Sequence, residues 1–521
     1  MILQSEYRFK TLNRIFQGVF FITLLWLLFQ VICSYAVKGA FGPLLAFLPV
    51  TVLFMALYKG IGKAFLASDE RRIDRAFYIG FSVMTLLLLA AGYWLMFEPT
   101  TDLYTVNTMA KSVATSGSMD ELYSHLPEGR RLYLSRYPNN QFLFLLLTGY
   151  YRVVVLLFGQ IPDYAPVLLN VVAIAATVWL VYHTAKKIFA PAVALLAFGM
   201  CLLFVPYYVY TPYFYTDSIS MPFVMLALYL FVSALQCGQK GKSATLLICA
   251  ALVCFIGFKI KGSVLVLLVV GVVFLLLRCG WKTALAGMAC ALALTVVLSA
   301  GFHSLILGLG VTTKEDDWEQ RYPVTHWVMM GLRNPGGFNQ EDSTFTARAG
   351  NYEQKKEANI REIKKRIGEY GVAGMYDHIV QKAVYTWSDG NYYASQHVAK
   401  TALHPNVLHQ FITPAAPFHG GCQGYCDSYQ LMLLLLMALS SLVAFFRPRL
   451  DFRLILQGIV FGAFFFFLIW ETRSRYLFNF TPVFLLLSAG SIHTLWEELS
   501  GWKKRRELSR RPGSLPAGTG E

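Results

Sequence analysis

Apolar runs of about twenty residues recur along almost the whole chain, and that recurrence leaves few folds open to it. Candidate spans lie at 15–36, 40–58, 77–97, 141–159, 165–185, 189–208, 217–236, 243–259, 262–278, 283–308, 429–446, 454–470 and 477–497. Lipid offers no hydrogen-bond partners to a backbone, so runs of this length are helices. The composition agrees: 56% of the residues are hydrophobic and 14% charged, against about 25% charged in soluble domains. The reading is an all-α, polytopic transmembrane bundle of about 12–13 spans, with two long extracytoplasmic loops carrying short helices. The first run, "IFQGVFFITLLWLLFQVICSYAV", is too long for a signal peptide's apolar core and has no small-residue cleavage site after it, so it is read as a retained span.

Five regions follow. Residues 1–76 form a transmembrane hairpin and a basic cytoplasmic loop, and 77–308 a transmembrane module whose first outer loop is 98–140. Residues 309–428 form a long outer loop, 429–497 the last spans, and 498–521 a basic tail. The net charge of +15 is read as topogenic rather than as a nucleic-acid footprint, so no nucleic-acid partner is expected. Arg8, Lys10, Arg14, the loop from Lys59 to Arg75, Lys186, Lys187, Lys240, Lys242, Arg278, Lys282, Arg447, Arg449, Arg453 and Lys503 to Arg506 then lie inside, and both long loops outside. One count does not close. Residues 98–140 are outside and Lys186 inside, yet two segments lie between them; 141–159 is therefore expected to be interfacial or re-entrant.

This orientation brings cations to the outer side, against the topogenic bias. "FKIKGS" places Lys259 and Lys261 at a turn between two spans, and "ETRSRY" places Arg473, Arg475 and Tyr476 before another. Snorkelling at helix ends explains any one of them. Together, on one face, they favour an anion at the outer interface. Acids lie on the same side. Asp102 opens the first outer loop in "FEPTTDLY", and Asp217 heads a span in "YTDSISMPF"; for each, helix N-capping is the competing reading. Arg136, Tyr137 and Asn139 cluster in "SRYPNNQF". A carboxylate can take a proton from an acceptor hydroxyl, while fixed cations stabilise a departing phosphate.

In this order the motifs resemble the GT-C glycosyltransferases, especially the bacterial protein O-mannosyltransferase and aminoarabinose-transferase branch. The resemblance covers residues 77–497: "FEPTTDLY", "RYPNNQFLFLLL", "YHTAKKIFAPAVALL", "YTDSISMPF", "FKIKGSVLVLL" and "RSRYLFNFTPVFLLLSAG". It implies a polyprenyl-phosphate sugar donor and inverting transfer outside the cytoplasm. Asp102 would be the base, Lys261 and Arg475 would hold the lipid phosphate, and Asp217 would line the cavity. Protein-mannosylating members carry two adjacent acids in the first loop, whereas here Leu103 follows Asp102. The acceptor therefore stays open among cell-envelope glycan, lipid and protein.

The second long loop adds His326 and Asp342 in "RYPVTHWVMMGLRNPGGFNQED" and Asp389 in "YTWSDGNYY" as further substrate-site candidates; His326 beside Trp327 is also the pattern of a packed histidine. Residues 352–384 show helical periodicity, with Ile360, Ile363, Ile367 and Tyr370 on one stripe, and are expected on the outer bundle surface. Cys422 and Cys426, in a polar outer stretch, leave a small disulfide open. No metal-ligand spacing, P-loop or Rossmann glycine pattern occurs, so no cofactor is expected, although a divalent ion shared by Asp102 and another acid stays open. Two rivals remain: a transporter or flippase of a lipid-linked sugar, and a glycan polymerase or ligase using a lipid diphosphate. Membrane lipids are partners on any reading, and a bacterial plasma membrane is the expected location.

Overall fold

The computed structural model describes residues 2–65, 70–399, 401–448 and 450–509. Arg449, residues 510–521 and the side chains of Arg8, Lys503, Lys504, Arg505 and Arg506 lie outside the described residues. The chain is a polytopic helical membrane protein. Among the described residues, eleven helices are long and apolar enough to cross a membrane, and two shorter apolar helices, Pro191–Leu202 and Arg453–Ile469, accompany them. The run at 189–208 breaks because Pro206 lacks an amide hydrogen and clashes with a preceding turn; the chain restarts as Val205–Val209.

Burial separates pillars from periphery. The apolar window of Ser474–Trp502 is 89% buried, that of Ala165–Ile188 67% and that of His419–Phe446 61%, whereas Trp281–Gly308 reaches only 6%. The first three form the middle of the bundle. The last turns Leu292, Val296 and Val297 outward, as a lipid-facing helix must.

Helices Glu70–Trp94 and Ala165–Ile188 run antiparallel. Lys186 pairs with Glu70 at 2.7 Å and Asp74 at 2.8 Å at one end, and the Tyr164 hydroxyl donates to the Leu89 carbonyl at 2.6 Å at the other. The chain from 95 to 164 thus begins and ends on one face. Helix Gln141–Phe158 lies along that face against Thr101–Ser116: Tyr151 donates to Asn107 at 2.5 Å, and Lys111 meets Asp163 at 3.3 Å just beyond it. With the turn Pro138–Asn140, this helix is itself one of the eleven long and apolar enough to cross a membrane.

Both long insertions lie on this same face, called here the insertion face. Residues 309–418 are clasped to the bundle where glycines allow backbone to meet backbone. A Cβ on Gly331 would stand 2.7 Å from the Trp470 carbonyl carbon, and one on Gly390 2.0 Å from the Cys426 carbonyl oxygen. Between these seats, Glu471 N–H donates to the Trp327 carbonyl at 2.9 Å and Thr472 N–H to that of Gly336 at 2.8 Å. The helix Tyr352–Trp387 bends at Gly371, whose φ of 57° only glycine adopts cheaply. Its buried face differs from the expected stripe. Ile367 is 48% exposed, while Lys355, Ala358 and Asn359 are buried; the far end of the helix packs on the bundle, where Trp387 stacks on Phe484. Helix His419–Phe446 begins before the expected span and carries Cys422 and Cys426 as free thiols one turn apart.

Candidate functional site: a buried charge cluster tied to Asp102

Helix Lys240–Ile260 ends at Lys261, which takes an extended conformation, φ −149° and ψ 118°. That change of direction separates two lysines only two residues apart. Lys259 stays on the helix with its ammonium over the rings of Phe302 at 5.2 Å, Phe255 at 5.3 Å and Phe258 at 5.5 Å, and among the described residues no carboxylate pairs with it. Lys261 turns inward, forms an ion pair with Asp217 Oδ1, and lies 4.7 Å over the Tyr476 ring. Asp217 is fully buried and makes no helix cap, so its carboxylate is committed to the lysine rather than to backbone.

The segment after Ile469 is extended where the insertion grips its backbone, and it feeds two more charges, Glu471 and Arg475, into the same place. Arg475 Nη1 donates to the Tyr213 hydroxyl at 2.7 Å, and its guanidinium lies over Tyr476 at 5.0 Å and Tyr215 at 5.7 Å. Glu471, 3% exposed, accepts the Tyr476 hydroxyl on both carboxylate oxygens at 3.0 Å. Burial pushes the Glu471 carboxyl above its usual range, while Arg475, Tyr476, Arg473 and Lys261 pull it back. Sequence reading passed over Glu471; its only signal was an acid abutting the two arginines of "ETRSRY". Two polar atoms of the cluster are buried without a hydrogen-bond partner: Asp217 Oδ2 and Arg475 Nε. Buried polar groups are nearly always satisfied, so these two atoms keep hydrogen-bonding capacity that the protein itself does not use.

Asp102 lies in the first turn of Thr101–Ser116, with Thr100 at the cap position and no side-chain cap bond. Thr101 carries φ 53°, rare for a β-branched residue, and so turns the chain sharply just before the acid. The half-buried Asp102 carboxylate accepts the Tyr133 hydroxyl at 2.8 Å. Tyr133 in turn accepts Asn140 Nδ2 at 2.7 Å, and Asn140 Oδ1 accepts the Tyr215 hydroxyl at 2.8 Å. Since Tyr215 is the ring facing Arg475, one polar chain runs from Asp102 to the cation cluster. Burial raises the Tyr133 phenol well above its usual range, so it acts as a neutral donor.

The remaining sequence candidates fall into different settings. Asn139 is exposed, and it is its neighbour Asn140 that joins the chain to Asp102. Tyr137 packs edge-on against Tyr322 and beside Tyr133, and burial pushes its phenol up to about 12. Arg136 donates to Gln320 at 3.3 Å. Arg473 donates to Tyr385 at 3.0 Å and covers the Tyr393 ring at 4.5 Å. Asp342 is gripped by Arg366 through two bonds, 2.7 and 2.9 Å, and by Arg333 at 3.2 Å. Asp389 accepts four donors: Tyr393 N–H at 2.7 Å, Ser474 at 2.8 Å, Asn391 N–H at 3.0 Å and Gln423 at 3.1 Å. His326 is fully buried, bonded through Nδ1 to Thr346 at 2.7 Å, and burial lowers its pKa to about 4. Among the described residues, no three of His, Cys, Asp and Glu gather into a ligand set for a metal.

A family model described as "Conserved hypothetical integral membrane protein" matches residues 6–496. No curated protein matches the sequence. Among solved structures, the chain is similar to ArnT from Cupriavidus metallidurans bound to undecaprenyl phosphate: 12% identity over 80% of this chain and 77% of that one, TM-score 0.35. A likeness that loose carries no argument about this chain.

Proposed function

We propose a role for this chain, which belongs to the family of conserved hypothetical integral membrane proteins: it transfers a sugar from a polyprenyl-phosphate donor to a cell-envelope acceptor at its insertion face, with inversion. The observation that carries the reading is the single polar chain joining Asp102 to the Lys261–Arg475 cluster through Tyr133, Asn140 and Tyr215. A proton acceptor and an anion holder placed in one connected site are what such a transfer needs.

On this reading the donor phosphate seats against Lys261 and Arg475, with Arg475 Nε free to donate to it. Asp102 takes the proton of an acceptor hydroxyl as that oxygen attacks the anomeric carbon. The bond from that carbon to the phosphate oxygen breaks on the opposite side, and the electron pair leaves with the phosphate onto the two cations. Asp217 holds Lys261 in place before the donor arrives. By the positive-inside rule the insertion face is extracytoplasmic, since the opposite face carries Lys186, Lys240, Lys242, Arg278, Lys282, Arg447 and Arg453.

The test is turnover of labelled polyprenyl-phosphate sugars by purified protein in liposomes, with an envelope extract as acceptor. Transfer by the parent protein and its loss in folded Asp102→Asn support the reading. Labelled lipid crossing the bilayer with no transfer overturns it in favour of a flippase.

A further inference from the structure

The end of helix Lys240–Ile260 opposite the charge cluster borders an apolar groove of about 310 Å³. Its walls are this helix, Met221–Gln236, Leu265–Cys279, Trp281–Gly308 and Arg453–Ile469, with Ala251, Cys254, Gly271, Leu275, Gly287 and Ile459 among the lining side chains. The groove touches the helix from Ala244 to Cys254, a length of about 15 Å at 1.5 Å per residue. On Trp281–Gly308 its lining runs from Thr283 to Ala291, in the part of that helix next to the basic face. Several lining positions on Trp281–Gly308, among them Ala286 and Cys290, are exposed, so the groove opens sideways toward the bilayer.

The mouth of the groove is cationic. Lys240, Lys242, Arg278 and Lys282 are all exposed and lie within about a turn of lining residues Ala244, Leu275 and Thr283. No Asp or Glu occurs between Asp217 and Glu315. Asp451, beside the Phe452 ring that Arg278 covers at 5.1 Å, is held by Arg453. Trp281, 64% exposed, stands at the same level, where indole rings favour the lipid headgroup layer.

We propose that this groove is a binding site for an anionic phospholipid of the basic-face leaflet, with one acyl chain in the groove and the phosphate on Arg278, Lys282 and the lysines 240 and 242. Charge complementarity at the mouth selects the headgroup, and basic pockets between spans are a common seat for such lipids. The sugar donor is not the occupant. On the reading above its phosphate lies by Lys261, at the far end of the same helix, about 31 Å from Lys240.

The test is native mass spectrometry of the full chain, delipidated in neutral detergent and then given phosphatidylglycerol or phosphatidylcholine. One phosphatidylglycerol is retained with about tenfold preference, roughly 1.4 kcal/mol. Arg278→Gln with Lys282→Gln removes most of that preference, and Ala251→Phe, which fills the groove, removes the bound lipid. If Ala251→Phe fails to fold, Cys290→Trp at the exposed rim serves the same purpose. Equal retention of both lipids, or binding that survives groove filling, overturns the site. Displacement of phosphatidylglycerol by polyprenyl phosphate overturns the choice of occupant.

Discussion

Two sets of carboxylates on the insertion face differ in how fully their hydrogen-bonding capacity is used. Asp342 and Asp389 are saturated, the first by two arginines and the second by two backbone amides, a serine and a glutamine. Asp217 has one partner and an unbonded second oxygen, and Asp102 has a single phenol donor on a half-buried carboxylate. A saturated carboxylate fixes a fold and has nothing left to offer a ligand. An unsaturated one in a charged, tyrosine-lined setting keeps the capacity to bind or to take a proton. The difference separates the frame of the insertion from the site it encloses.

Exchanging carboxylates in the two sets is the most direct way to break that contrast. Asp102→Asn removes the proposed base and keeps its shape, so transfer falls about 10²- to 10⁴-fold with an unchanged melting temperature. An unimpaired rate removes Asp102 from the chemistry. Lys261→Met leaves Asp217 buried and unpaired at a cost of about 3–5 kcal/mol, read as a lower melting temperature. Adding Asp217→Asn restores part of that stability without restoring transfer, because the cation is still missing.

Acidification probes a buried histidine of the frame. His326 has its pKa lowered from 6.5 to about 4 by burial, so between these values the unfolded chain binds the extra proton. Stability therefore rises with pH across this window and falls as pH drops from 6.5 toward 4, by up to about 3 kcal/mol. Melting at pH 7 and pH 5 measures this, and His326→Gln removes its share of the difference, while His378, also lowered to about 4 by burial, keeps its own. Asp342→Asn should cost about 2 kcal/mol of stability by releasing charged hydrogen bonds, while kcat of the folded protein holds. A large drop in kcat at unchanged stability would move Asp342 from the frame into the site. Smallest of all is Lys259→Gln. This lysine has only ring contacts, so stability stays within about 0.5 kcal/mol and donor KM is nearly unchanged, in contrast to Lys261.

Much of the fold is written in local pattern. Run length and hydropathy place the helices. Site legibility is uneven. Asp102, Asp217, Lys261 and Arg475 could be named because charges at the ends of apolar runs are costly and therefore conspicuous. Asn140 could not be told from Asn139, since which asparagine faces inward depends on the short helical turn Pro138–Asn140. Glu471 looked like an ordinary acid at a span's end until the insertion closed over it.

By itself, then, the sequence determined that the chain is helical, that it crosses the membrane many times, and which face collects its unusual charges. Those properties follow from the cost of putting polar groups in lipid, which each segment carries alone. The tertiary structure alone decided which charges meet. Lys259 and Lys261 are near twins in sequence, yet a single extended residue and the backbone of 470–472, gripped by an insertion more than a hundred residues upstream, send one to phenylalanine rings and the other to Asp217. Pairing of that kind depends on long-range closure, and no local pattern encodes it.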